Sequence, residues 1–187
     1  MWIRTFLMAF EFRAEHVTIV MIGIAIILIP VSKIYSPRVK LKVKYFIFML
    51  GESFCYSIVL GGLLHSILSL GGLVVGSPGI GALQNFALSL GAGLFEEIVF
   101  RVILLNLLFF LLSWVFKSKV LNAIISVLAA SFLFSLSHYV GSMADSWELY
   151  SFMFRWIAGM IFTILYFIRG FAITAYTHAL YDIWVLV

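Results

Sequence analysis

Residues 82–116 read ALQNFALSLGAGLFEEIVFRVILLNLLFFLLSWVF. Only three of these 35 side chains are charged, Glu96, Glu97 and Arg101, and they stand together in the middle of the run. As an α-helix the stretch would reach about 50 Å, against ~30 Å for the hydrocarbon core of a bilayer. It reads as a membrane segment too long for one untilted crossing, and Gly91 and Gly93 are the expected place for a break. Similar runs lie on both sides of it, at residues 16–31, 45–70, 120–140, 149–168 and 171–187. The whole chain of 187 residues is 64% hydrophobic and 11% charged, and a soluble domain of that size cannot hide so much apolar surface. Open sheets cannot cross lipid. The expected fold is therefore all-α, a polytopic membrane bundle of about six transmembrane helices. Soluble enzymes, disulfide-stapled secreted domains, disordered regions and nucleic-acid binders are excluded as classes.

The net charge of +4 reports topology rather than an acidic partner. Lys33, Arg38, Lys40, Lys42 and Lys44 crowd one loop, Lys117 and Lys119 another, and Arg169 a third. The alternate loops carry either no charge, as in 71–81 with its five glycines and Pro78, or acids such as Asp145 and Glu148. The positive-inside rule puts the three basic loops in the cytoplasm and both termini outside, with Arg4 and Arg13 offset by Glu11 and Glu15. No removable signal peptide is visible at the start of the sequence. The single cysteine, Cys55, forms no intrachain disulfide and is expected to be a small core residue. Trp2, Trp114 and Trp147 fall near predicted interfaces, where aromatic belts gather.

Ionisable groups inside a span cost roughly 2.5–3.5 kcal/mol or more each, so they mark function by default. Here they are Glu52, His65, Glu96, Glu97, Arg101, His138, Arg155, His178 and Asp182. Glu97 and Arg101 are four apart and share a helix face, in the order that favours pairing. Glu96 is turned about 100° away from Glu97 and is left free for chemistry. The plainer reading is a packed ion pair with a spare acid facing a neighbouring helix. His138 ends the stretch Phe134-Ser-Leu-Ser-His138 and, by itself, reads as a simple interhelical hydrogen-bonder before it reads as a catalyst. His178 and Asp182, again four apart, could be an oriented imidazole, half a metal site or an intrahelical hydrogen bond. Glu52 and His65 read as interhelical or interfacial partners. Arg155 reads first as pairing with an acid or reaching the outer interface, with contact to a substrate carboxylate as the other reading.

Glu-Glu-x-x-x-Arg, Phe-x-x-x-His and His-x-x-x-Asp, in that order on three helices, resemble the CAAX protease and bacteriocin-processing family. These are intramembrane glutamate proteases that include the Ras-converting CAAX prenyl endopeptidases. The resemblance covers about residues 85–187 and implies a four-helix catalytic core within 81–187. The first two spans and the basic loop, residues 1–80, would then form an N-terminal part. By the resemblance Glu96 is the catalytic glutamate, His138 its partner in activating water, and His178 with Asp182 the oxyanion-stabilising motif. Glu97 and Arg101 become structural support, with Phe134 and Arg155 contacting substrate. Where the family has Asn or Asp, this chain has Asp182, which donates a hydrogen bond only when protonated.

Hydrolysis of a peptide bond without a protein nucleophile needs a base for water, donors for the oxyanion and an acid for the leaving amine. Glu96 with His138 supplies the first and His178 the second. The sequence contains neither Gly-x-Ser-x-Gly nor His-Glu-x-x-His. The expectation is an intramembrane endopeptidase without a metal or other cofactor, acting on a membrane-associated or exported peptide in the lipid bilayer. Counting along the helices puts the site in the extracytoplasmic half, opening outward, in the plasma (inner) membrane of a prokaryote. Two alternatives stand beside it. One is a zinc-dependent protease using His138, His178, Glu96 and Asp182 as ligands. The other is a non-proteolytic immunity or scaffold protein on the same fold. A transporter is disfavoured by the lack of an inverted repeat.

Overall fold

The computed structural model describes residues 42–70, 82–140 and 144–186, and among them every regular element is helical. The chain runs α1 (Val43–Leu70), α2 (Ala82–Glu97), a π-helical stretch (Ile98–Leu104), α3 (Leu105–Leu112), α4 (Lys119–Ser137), α5 (Leu149–Arg169) and α6 (Phe171–Leu186). Because α2, the π-helical stretch and α3 are continuous, these make five rods. The all-α class is as expected; the span predicted at 16–31 and the turn at 71–81 lie outside the described residues. Among the described residues, three helices are long and apolar enough to cross a membrane, within Val43–Leu64, Lys119–Ser137 and Leu149–Arg169. With the family relationship established below, they make this a membrane protein.

The long rod corrects one expectation. It does not break at Gly91 or Gly93, where the helix is regular. The irregularity comes just after the two glutamates, where Leu105 N–H bonds back to Phe100 O in place of the usual partner four residues earlier. Widening a helix in this way leaves carbonyls poorly paired, and π-bulges concentrate at functional sites. The Asn106 amide meets two of these carbonyls, donating to Arg101 O at 3.2 Å and Val102 O at 2.7 Å. Gly93 serves packing instead. A β-carbon there would lie 2.7 Å from the backbone nitrogen of Ala179, so only glycine lets α2 and α6 approach this closely, the small-residue packing typical of membrane helices.

Short local signals set the other joints. The Ser118 hydroxyl accepts from Leu121 N at 3.4 Å and caps α4, while the Asn122 amide donates to Phe109 O at 2.9 Å and ties α4 to the end of α3. Gly170, at φ 79°, closes α5 and turns the chain straight into α6. Leu60 and Leu64 of α1, Ala158, Phe162 and Leu165 of α5 and Tyr181 of α6 share one buried cluster. The polar contacts across these helices are few and specific: Ser53 to Ile173 O, Ser135 to Phe152 O, Trp156 to Leu128 O.

The bundle exterior is apolar, with Phe46, Phe48, Ile124 and Phe167 exposed as lipid-facing residues should be. Cys55 belongs to this exterior and not to the core, contrary to expectation; its side of α1 faces away from α5 and α6. Trp114 and Trp147 are exposed, as interfacial belts require. The start of α4 at Lys119 and the end of α5 at Arg169 lie at one end of the bundle, since the two helices are antiparallel neighbours. Arg169 reaches across to α1 and donates to Glu52 at 2.6 Å, the interhelical role expected for that acid. His138, Asp145 and Glu148 lie at the other end.

Candidate active site

Glu97 is the centre of the buried polar group. It is wholly buried, and its Oε1 lies 2.9 Å from Arg101 Nη1 in an ion pair and accepts from His178 Nδ1 at 2.7 Å. The pairing read from the i,i+4 spacing is therefore present, but the same oxygen also holds the imidazole of α6. Arg101 is buried as completely as its partner. It donates to Gly159 O at 3.3 Å and lies over the Phe134 ring, 4.7 Å from the centroid. At Gly159 α5 packs tightly on α4: a β-carbon there would stand 3.0 Å from the Phe134 ring and 3.2 Å from Ser131. One guanidinium thus links three helices, and the close approach at Gly159 sets its position.

His178 is held from both sides. Phe162 stacks on its ring at 4.5 Å with an interplanar angle of 23°, and Glu97 fixes Nδ1. Its other nitrogen, Nε2, faces two acids at distances too long for hydrogen bonds, 3.9 Å to Glu96 Oε2 and 3.8 Å to Asp182 Oδ1. The i,i+4 pair His178–Asp182 is consequently not what orients the imidazole; Glu97 does that. Asp182 stands on the far side with Glu96, and the gap between the three groups is lined by two carboxylate oxygens and one ring nitrogen.

His138 caps the end of α4, and its Nδ1 lies 3.0 Å from Phe134 O. With Nδ1–H donating to that carbonyl, Nε2 is left as an acceptor. Its ring packs edge-on against Phe134, centroids 5.2 Å apart, and His178 lies 6.2 Å from the same ring. A single aromatic side chain is thus in contact with both imidazoles. Phe134, expected as a substrate contact, is itself buried at 5% exposure among Phe100, Arg101, Gly159 and the two histidines. Arg155 pairs with an acid, as one of its two readings had it: Nη2 donates to Asp145 Oδ2 at 2.7 Å, and Nη1 to Tyr139 OH at 2.9 Å and Ser151 Oγ at 3.1 Å.

The sequence motifs did not single out Phe162, Gly159, Tyr139 or Ser151. Each acts through a contact between distant segments, and nothing in local spacing announces it; the short run Ala158-Gly159 inside an apolar helix was the nearest signal. Among the described residues, no group of three or more His, Cys, Asp or Glu side chains is placed to hold a metal ion. Glu96 Oε2, Asp182 Oδ1 and His178 Nε2 face one gap, where a carboxylate can accept a proton and an imidazole can donate one. A family model described as type II CAAX prenyl endopeptidase Rce1-like matches residues 78–184, which contain every one of these side chains. No curated protein and no solved structure matches the chain.

Proposed function

The chain belongs to the type II CAAX prenyl endopeptidase Rce1-like family, a family of membrane endopeptidases, and from that premise we propose that it hydrolyses a peptide bond with a water activated by Glu96 and His138. The observation that carries this is the division of labour between adjacent glutamates. Glu97 is committed to Arg101 and His178, whereas Glu96 faces His178 Nε2 across 3.9 Å. In this reading the water gives one proton to the Glu96 carboxylate and its second hydrogen bond to His138 Nε2, the nitrogen left bare by the bond to Phe134 O. Attack on the carbonyl carbon creates an oxyanion, which His178 Nε2–H meets. That role needs the doubly protonated imidazole, since Nδ1–H already serves Glu97; the carboxylates of Glu96, Glu97 and Asp182 compensate its charge. Collapse of the intermediate breaks the C–N bond, and the proton held by Glu96 passes to the departing amine.

The 81–187 segment acts as the catalytic core and 1–80 as an N-terminal part that packs on it through α1. The basic loops face the cytoplasm of a prokaryotic cell and the site opens outward, towards membrane-associated or exported peptides. No metal is required, because the base and the oxyanion donor are both side chains. One assay tests these statements together: cleavage of an apolar peptide added outside right-side-out vesicles. The wild-type protein is expected to cleave it with chelator present, and Glu96→Gln to lose activity by about 10²–10⁴-fold while unfolding at the same temperature. Full activity in Glu96→Gln would overturn the mechanism, and loss with chelator that zinc restores would favour the zinc alternative.

A further inference from the structure

The long rod carries one residue more than a plain α-helix would hold. Glu96 and Leu105 are both buried, and they stand nine residues apart. An uninterrupted helix, turning about 100° per residue, would set them about 180° apart on opposite faces. Absorbing one residue on the way brings that angle down to about 80°, and the π-helical stretch Ile98–Leu104 is where it is absorbed. Packing pins both ends of the stretch. Before it, α2 meets Ala179 of α6 at Gly93; after it, α3 is tied to α4 by Asn122. Arg101 lies inside the stretch and Glu97 immediately precedes it. The width of this turn therefore sets how the guanidinium meets the carboxylate that holds His178.

Asn106 stands on the exterior of the bundle, where Val102 and Ile103 are also exposed. A primary amide is out of place in lipid, and so is a carbonyl without a donor. Asn106 satisfies one with the other. Its Nδ2 donates to Val102 O and to Arg101 O, the carbonyl that Leu105 N–H passes over in favour of Phe100 O. Arg101 is thus held at both ends, its guanidinium by Glu97 and Gly159 O and its backbone carbonyl by Asn106.

We propose that Asn106 is a positioning residue for the active site. By donating to the two carbonyls it keeps the turn wide, and the wide turn sets Arg101, through it Glu97, and through Glu97 the His178 imidazole. The active site itself rests on the endopeptidase reading above, so one arm of the test needs no turnover. The full chain, ¹⁵N-labelled at histidine, is placed in phosphatidylcholine nanodiscs, and its His178 ring signals are assigned by NMR from their loss in His178→Gln. Asn106→Leu is expected to move the His178 Nδ1 signal and leave those of His138 in place. It unfolds at the wild-type temperature or above, since leucine suits lipid better than asparagine does. Cleavage of the apolar peptide falls about 10²-fold in kcat with KM unchanged, the effect of displacing a catalytic group by about 1 Å. Asn106→Ser, whose hydroxyl can still donate to the carbonyl four residues back, recovers most of both. Deleting Ile103, an exposed residue of the stretch, removes the extra residue and restores a plain α-helix with its ends in register. That protein is expected to fold as stably as the wild type while showing the same His178 displacement and the same loss in kcat. An unmoved His178 signal in Asn106→Leu overturns the proposal whatever happens to cleavage, and so does wild-type kcat in that protein. Should Asn106→Leu not fold, the deletion decides by the same two readouts. A His178 signal that moves as expected, in a protein whose wild type cleaves nothing, retains the positioning role and loses the endopeptidase reading.

Discussion

Two arginines on neighbouring helices, Arg101 and Arg155, each pair with an acid, and they differ in almost everything else. The Arg101–Glu97 pair has exposures of 1% and 0%. Its charges have no water to fall back on, and the same carboxylate carries His178. The Arg155–Asp145 pair is open to solvent, shares its cation with two hydroxyls, and sits at the end of the bundle. The lesson is that burial converts a pair of charges into a fixture, whereas exposure leaves it exchangeable.

The contrast can be broken most severely at the inner pair. Arg101→Ala takes from buried Glu97 its guanidinium partner, which is expected to cost about 3–5 kcal/mol and to lower the unfolding temperature in detergent, with cleavage lost because Glu97 no longer holds His178 in a fixed position. A thermal scan matching the wild type would show that the inner pair is no fixture. A smaller loss follows from Gly159→Ala, whose added β-carbon meets the Phe134 ring at 3.0 Å; overpacking of this kind costs about 1–3 kcal/mol and is read in the same scan. Smallest is the outer pair. A double-mutant cycle over Arg155→Gln and Asp145→Asn is expected to give a stability coupling below about 1 kcal/mol, shrinking further as salt is raised. A coupling as large as that of the inner pair would remove the distinction drawn here.

Much of this was legible in residue spacing. Glu97 and Arg101 at i and i+4 announced their pairing, and the position of Glu96 beside them announced a carboxylate with no such partner. Other features were not legible, each for a reason of the same kind. Gly93 looks like a helix breaker in sequence because glycine destabilises helices in general; the structure uses it to let Ala179 approach. Cys55 looks like a core residue because cysteine is small and apolar, but in lipid an apolar side chain loses nothing by facing out. His178 and Asp182 look like a pair, yet Glu97, 81 residues earlier in the chain, takes the imidazole.

Composition and order along the chain by themselves determined that the protein is a helical membrane bundle and which charged side chains had to be accounted for. They could do so because hydrophobic length, helical periodicity and the cost of a charge in lipid are properties of short segments. Which acid holds which imidazole, where the long helix loosens, and which arginine is buried and which part-exposed were decided by the tertiary structure alone. Those outcomes depend on distances between helices, and a distance between helices is set by the packing of small residues such as Gly93 and Gly159 against backbones far away in sequence.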